Sequence, residues 1–150
     1  NTLGLWNKED KRLDPAQLDR AARLLHYLTT GQMKAQEFEL GMVWFLLGQK
    51  PVGSYFMPEK TLAKTDQEEA DALLSAVINH WAALKNTTID GLRLSFLQRP
   101  GVIRRDPNSH DKAATLHVQS ESFDVLLRYL PWSISVVKLP WMPEHLLTTW

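Results

Sequence analysis

Residues 100–104 read Pro-Gly-Val-Ile-Arg, and at this point the spacing of apolar residues along the chain changes. Before this stretch, apolar residues recur at every third or fourth position, which is typical of helices with one buried face. After it, short stretches alternate between apolar and polar residues, which is typical of strands. The sequence therefore predicts an α+β fold, with helices first and then a small antiparallel sheet that carries one short helix.

Upstream of this change we predict about four helices. The first has Asp14 as its N-cap and Pro15 at its first position, and it ends at Gly31. The second runs from about residue 34 to residue 47 and is closed by Gly48. Thr87 or Thr88 caps the last helix, which ends before residues 100–101.

The third helix has the clearest pattern. Residues 65–68, Thr-Asp-Gln-Glu, match a capping box, in which the threonine hydroxyl and the glutamate carboxylate each accept a backbone N–H of the other residue. We expect this helix to run to near Asn86 and to bury one face. The expected buried residues are Ala70, Leu73, Leu74, Val77, Ile78, Trp81 and Leu84.

Downstream we predict strands at residues 102–104, 116–119, 134–137 and 146–149, and one helix near residues 123–130. On this basis we divide the chain into a helical part, residues 1–101, and a β-rich part with Pro-Trp motifs, residues 102–150. We expect the two parts to form one compact module at the C-terminal end of a longer chain.

Composition excludes several classes of function. The 150 residues include 17 Lys and Arg and 17 Asp and Glu, so net charge gives the chain no hold on nucleic acid or on an anionic membrane. Cysteine is absent, which excludes disulfides, thiolate metal sites and thiol nucleophiles. No apolar run approaches the roughly 20 residues that cross a bilayer. We therefore expect neither nucleic acid nor membrane as a partner.

Residue chemistry also argues against an enzyme. The sequence has none of the motifs of zinc proteases, phosphate-binding loops or serine nucleophiles, and its five histidines are scattered. We expect His26 and His80, which lie in predicted helices, to be partly covered surface groups. The sequence therefore predicts no catalytic residue, no metal ligand and no cofactor.

Tryptophan is the unusual feature, with six in the chain and three in its last nineteen residues. The tripeptide Leu-Pro-Trp occurs at residues 130–132 and again at residues 139–141. These indoles either close the ends of a small core or form a docking surface, and both interpretations stay open. Trp44, near the polar side of the second helix, is either a contact residue or a half-covered core residue. The candidate interface residues are Trp132, Trp141, Met142, Trp150 and Trp44.

Four blocks of this sequence, in order, resemble the tape measure proteins of contractile injection systems. Those systems are phage-tail-like particles of the antifeeding-prophage and virulence-cassette type. Residues 24–32, Leu-Leu-His-Tyr-Leu-Thr-Thr-Gly-Gln, resemble a characteristic element of the family. Residues 76–93 and 95–101 resemble its following blocks, and residues 123–142 its C-terminal signature. The resemblance covers about residues 20–150, although the family usually has an acidic residue before the final tryptophan, where this chain has Thr148 and Thr149.

The resemblance implies a structural protein that sets the length of the tube and sheath during assembly, in the cytoplasm, and then resides inside the released particle. A helical ruler converts residue count into length at about 1.5 Å per residue. Because the predicted helices here are short, we expect this chain to be the globular module that anchors the ruler, and the ruler itself to lie upstream of Asn1. The implied partners are the baseplate hub or spike and the inner tube proteins, with three or six copies of the chain around the particle axis.

Two other functions stay open at this point. The chain could be a baseplate adaptor or tube plug that shares the module but measures nothing. It could also be a small enzyme of the same particle that processes cargo or cleaves cell wall, which would require acidic and basic groups that converge in a cleft.

Overall fold

The computed structural model describes residues 5–7, 12–49, 60–105 and 113–150. Helices dominate up to residue 97 and a four-stranded sheet follows, so the predicted α+β class is confirmed. The predicted apolar loop around residues 50–59 and the turn around residues 106–112 lie outside the described residues.

The first helix begins and ends as predicted. Asp14 is extended and its carboxylate accepts the Ala16 N–H, which starts a 3-10 turn at Pro15–Gln17 that leads into α1, Leu18–Thr30. Gly31 ends α1 with a φ of 71°, a left-handed conformation that glycine adopts without strain. A short antiparallel pair, β1 (Trp6–Asn7) and β2 (Arg12–Leu13), precedes it.

The second helical segment is shorter than predicted. It consists of a 3-10 helix, Glu37–Leu40, followed by α2, Gly41–Leu46, so the predicted start at Lys34 is wrong. The reason is a local cap: Gln36 is extended, and its backbone N–H donates to the Glu39 carboxylate over 2.7 Å.

The third helix, α3, is Lys64–His80. Thr65 therefore lies inside its first turn, and the prediction of Thr65 as N-cap is wrong. Trp81 is extended and separates α3 from a 3-10 turn at Ala82–Leu84, so the helix ends earlier than expected. Most of the predicted face is buried or half-buried, but Leu73 is exposed.

A further helical segment leads into the sheet. Thr88 caps α4, Ile89–Leu92, by accepting the Gly91 N–H over 3.0 Å, and a π-helical segment, Arg93–Leu97, continues it. The predicted cap at Thr87 or Thr88 is thus resolved as Thr88.

The sheet contains β3 (Gly101–Arg105), β4 (Ala113–Val118), β5 (Val136–Val137) and β6 (His145–Thr149) in the order β3-β4-β6-β5. The β3–β4 and β5–β6 pairs are antiparallel, whereas β4 and β6 are parallel. The prediction of an antiparallel sheet is therefore wrong for its central pair. The connection between these two strands is longer than the roughly dozen residues that a parallel crossover needs.

The predicted short helix lies in that connection as a 3-10 helix, Ser122–Tyr129. Glu121 and Asp124 cap its start reciprocally, since the Glu121 N–H donates to the Asp124 carboxylate over 2.7 Å.

The two faces of the sheet differ in burial. One face carries Ala114, Val118 and Leu146, all of which are buried. The opposite face, here named the open face, carries side chains that are exposed or half-exposed. Its residues are Val102, Arg104, Ala113, Thr115, His117, Val136, His145, Leu147 and Thr149.

The chain forms two compact units. The first comprises residues 1–74 and 139–142, and the second comprises residues 75–138 and 143–150. The predicted division at residues 101–102 marks the change from helices to strands and stays a prediction.

Each unit has its own apolar core. In the first unit, one cluster joins α1 to the segment of the second helix, and its buried members are Ala21, Ala22, Leu40, Val43, Trp44 and Leu47. In the second unit, the Trp81 and Phe96 ring centroids are 4.7 Å apart, and those of Phe96 and Phe123 are 5.5 Å apart. These tilted and edge-on pairs are favourable geometries for aromatic rings.

Candidate functional site

The first Leu-Pro-Trp tripeptide lies on the surface of the second unit. Leu130 leaves the 3-10 helix with an extended backbone, and its N–H still donates to the Leu127 carbonyl oxygen over 3.2 Å. Pro131 follows and cannot continue a helix. This exit presents the Trp132 side chain to solvent, with 44% of it exposed.

Trp132 lines a shallow concavity of about 400 Å³ that we name the Trp132 cleft. Its lining combines an indole and a proline ring with polar side chains that can form hydrogen bonds. The lining residues are Leu127, Arg128, Leu130, Pro131, Trp132, Ser133, Ile134 and Ser135. An exposed tryptophan beside an arginine is the composition that protein interfaces favour.

A buried ion pair anchors the 3-10 helix, Ser122–Tyr129, that leads to this cleft. The Arg99 guanidinium donates to both carboxylate oxygens of Asp124, with Nη1–Oδ1 at 2.6 Å and Nη2–Oδ2 at 2.9 Å. Both side chains are largely buried. The hydrogen bond from Arg99, assisted by the Glu121 N–H, holds the pKa of Asp124 below its usual value, against the opposing effect of burial. Arg99 also donates to the carbonyl oxygens of Gln119 and Ser95.

Trp150 lies on the other side of the same arginine. The Arg99 guanidinium carbon is 5.5 Å from the centre of the Trp150 ring and 5.1 Å from the centre of the Phe123 ring. Both distances are within the range of a cation–π contact. Trp150 is 36% exposed, so it supports the second unit and still presents an edge to solvent.

The second Leu-Pro-Trp tripeptide is built into the first unit. The Trp141 Nε1–H donates to the Leu46 carbonyl oxygen at the end of α2 over 2.9 Å, and the side chain is half-buried. The Met142 N–H donates to the Leu139 carbonyl oxygen over 3.0 Å, which closes a turn, and Met142 is buried. Both residues stabilise the fold in this arrangement.

Trp44 is also internal. It is 4% exposed and belongs to the cluster between α1 and the second helical segment. Of the five candidate interface residues, the structure therefore leaves Trp132 and Trp150 exposed, and both lie in the second unit. Their role at an interface stays a prediction.

Several polar residues have positions or partners that the sequence does not indicate. His26, expected at the surface, is buried, and its Nε2 lies 3.0 Å from the Lys34 carbonyl oxygen. Arg99 had only one local signal, its position just before the Pro-Gly step. Arg20 and Asp66 form a second two-bond ion pair, with Nε–Oδ2 at 2.9 Å and Nη2–Oδ1 at 2.5 Å, which lowers the pKa of Asp66.

That second pair borders a cavity of about 250 Å³ in the first unit, which is also lined by Asp19 and Arg23. Since Arg23 donates to Asp19 over 2.8 Å, the arginines at this cavity are matched with carboxylates. Among the described residues, no group of three or more histidine, aspartate or glutamate side chains is arranged to hold a metal ion. Within the same residues, no helix has the length and apolar character needed to span a membrane.

Comparison with known proteins gives one match. The family model described as contractile injection system tape measure protein matches residues 1–150. Searches of curated proteins and of solved structures return no match. The family is a structural component of phage-tail-like particles. Since the match covers the whole sequence, the chain belongs to the family of contractile injection system tape measure proteins.

Proposed function

We propose that this chain is the docking module of its tape measure protein, and that it contacts the baseplate hub or the inner tube through the Trp132 cleft. The observation that carries the proposal is that Trp132 is 44% exposed at this cleft, whereas Trp81 and Phe96 of the same unit are buried. Exposure of an indole is unfavourable in water, and a partner that covers it gains that apolar area.

The described helices support a docking role rather than a measuring one. The longest, α3, has 17 residues and therefore a length of about 25 Å. Residues that set the length of a tube then lie outside the described helices. In this proposal the module fixes one end of the ruler, and its three or six copies surround the particle axis.

The proposed role needs neither chemistry nor cofactor. The module assembles in the cytoplasm and stays inside the released particle. The balanced charge of the chain, 17 basic and 17 acidic residues, means that recognition depends on shape and apolar contact more than on long-range attraction.

A binding measurement tests the docking role. The purified chain and its Trp132→Ala variant are each titrated onto purified hub and inner tube proteins of the same particle. We expect the variant to bind at least about tenfold more weakly, as for a central interface tryptophan. The matched control is Leu94→Ala, because Leu94 is also exposed in the second unit but lies outside the Trp132 cleft. Equal binding by both variants and the parent chain contradicts the proposal.

A second candidate function is a baseplate adaptor or tube plug without a measuring role, which the short described helices also favour. Particle length separates the two. If the module anchors a ruler, shortening the helical sequence of the full protein outside the described helices shortens the particle by about 1.5 Å per residue removed. Particles of unchanged length favour the adaptor.

A further inference from the structure

The open face of the sheet lacks a cover among the described residues. Val136 and Leu147 are directly opposite each other on β5 and β6, and both are exposed. Val102 is exposed at the other edge of the same face. Apolar side chains on strands are normally covered by a second layer of structure, so we expect another protein surface to cover this face.

The formal charge on this face is positive. Arg104 is exposed on it, and its strand positions contain no aspartate, glutamate or lysine. A partner with an apolar group flanked by carboxylates would match both properties of the face.

The first unit carries such a group. Phe38 is 80% exposed, the highest exposure of any large apolar side chain among the described residues, and exposed Glu37 and Glu39 flank it. The short 3-10 helix holds this position firmly, because Leu40 is buried in the core and Glu39 caps the helix start. We name residues 37–39 the Phe38 knob.

We propose that the Phe38 knob of one copy packs onto the open face of a second copy, with Phe38 against Val136 and Leu147 and Glu37 towards Arg104. Arg104 on β3 and Leu147 on β6 are two strand spacings apart, which is about 10 Å. A glutamate next to Phe38 can span this distance. The knob and the face are different surfaces, so the contact runs head to tail and closes into a ring when the rotation permits. The proposal rests on the self-association in the proposed function, but it is independent of what Trp132 contacts.

A charge exchange tests the contact between copies. Glu37→Lys and Arg104→Glu are made in separate chains, and Glu39 is kept because it caps the helix. Each variant alone opposes like charges at the contact, and we expect its self-association to weaken by at least about tenfold. An equimolar mixture pairs each altered surface with a complementary one, so association recovers. Sedimentation velocity measures all three samples.

The control variants are Glu68→Lys and Lys85→Glu, which reverse exposed charges outside both surfaces. The proposal is overturned if the mixture stays as dissociated as the two single variants, or if the controls weaken association equally.

The absence of cysteine allows a direct check of geometry. Phe38→Cys in one chain and Val136→Cys in another should form a disulfide-linked dimer when the two are mixed under mild oxidation, whereas Lys85→Cys with Val136→Cys should not. If a chain that carries both Phe38→Cys and Val136→Cys links only within itself at every concentration, the second copy is excluded as the occupant. Binding of Trp132→Ala to hub and tube proteins is measured in parallel, so failure of the ring contact and failure of the docking role are distinguished.

Discussion

The two Leu-Pro-Trp tripeptides of this chain are identical in sequence and opposite in structure. At residues 139–141 the indole is half-buried in the first unit and donates to the Leu46 carbonyl oxygen over 2.9 Å. At residues 130–132 the indole lies at the surface of the second unit and is 44% exposed. The backbone bends at both tripeptides, but the surroundings decide whether the indole is built into the fold or left exposed.

A backbone carbonyl group at the end of α2 explains why Trp141 is held in the fold and Trp132 is not. The end of α2 leaves carbonyl oxygens that lack a helical partner, and the Trp141 N–H satisfies one of them. Near Trp132, the carbonyl oxygens of Ile134 and Ser135 already accept hydrogen bonds from Thr148 of β6. The same tripeptide is therefore held in the fold at one site and left exposed at the other.

The largest loss of stability is expected at Trp81, a third tryptophan, which shows how much a buried indole contributes. Trp81 is 2% exposed, packs against the tilted ring of Phe96, and donates its Nε1–H to the Leu126 carbonyl oxygen over 3.2 Å. Trp81→Ala should lower the free energy of unfolding by about 3–5 kcal/mol, measured by urea denaturation. Trp81→Phe, which keeps a ring against Phe96, should cost about 1 kcal/mol. A loss below about 1 kcal/mol for the alanine variant would show that the aromatic cluster does not support the second unit.

The next largest loss of stability is expected at the Arg99–Asp124 ion pair, which holds the helix before the exposed tripeptide. Asp124→Asn leaves the Arg99 guanidinium buried without its counter-ion, so we expect a loss of about 3 kcal/mol at pH 7. Because Arg99 lowers the pKa of Asp124 in the folded chain, this stabilisation is complete above the unfolded pKa and is lost as the pH falls below about 4.

The same linkage gives a pH test. The stability difference between the parent chain and Asp124→Asn should shrink as the pH is lowered from 5 to 2, followed by urea denaturation at each pH. Asp66→Asn, which removes the corresponding carboxylate of the first unit, serves as the comparison. A difference that stays constant over this range would mean that the ion pair does not hold the helix before Trp132.

A smaller effect is expected at the structural copy of the tripeptide. Trp141→Ala removes a half-buried indole and its hydrogen bond to Leu46, so it should cost about 2 kcal/mol. Urea denaturation followed by circular dichroism measures it, with Pro140→Ala as a neighbouring control. If Trp141→Ala is as stable as the parent chain, the distinction between the two tripeptides is wrong.

Local signals in the sequence predicted the features that depend on near neighbours. Asp14, Pro15 and Gly31 set the ends of α1 because capping and positive φ are properties of single residues. The strands were predicted where apolar and polar residues alternate. The parallel pairing of β4 with β6 was not, because two strands with a long connection can pair in either direction.

The candidate site was predicted only in part for the same reason. The enrichment of tryptophan predicted an interface in the last nineteen residues, but it did not separate exposed Trp132 from Trp141, whose partner Leu46 lies far away in the sequence. Arg99 has partners at Ser95, Gln119 and Asp124, of which only the first is nearby in the sequence. Long-range contacts of this kind leave no periodic signal in one sequence.

The most direct test is Trp132→Ala in the tape measure protein, with folding followed by circular dichroism and particle assembly by electron microscopy. Trp132 makes no hydrogen bond with the residues that the structure describes, so its removal should cost about 1 kcal/mol less free energy of unfolding than Trp141→Ala does. We expect a folded protein that fails to form complete particles. Complete particles in normal number would contradict the docking role.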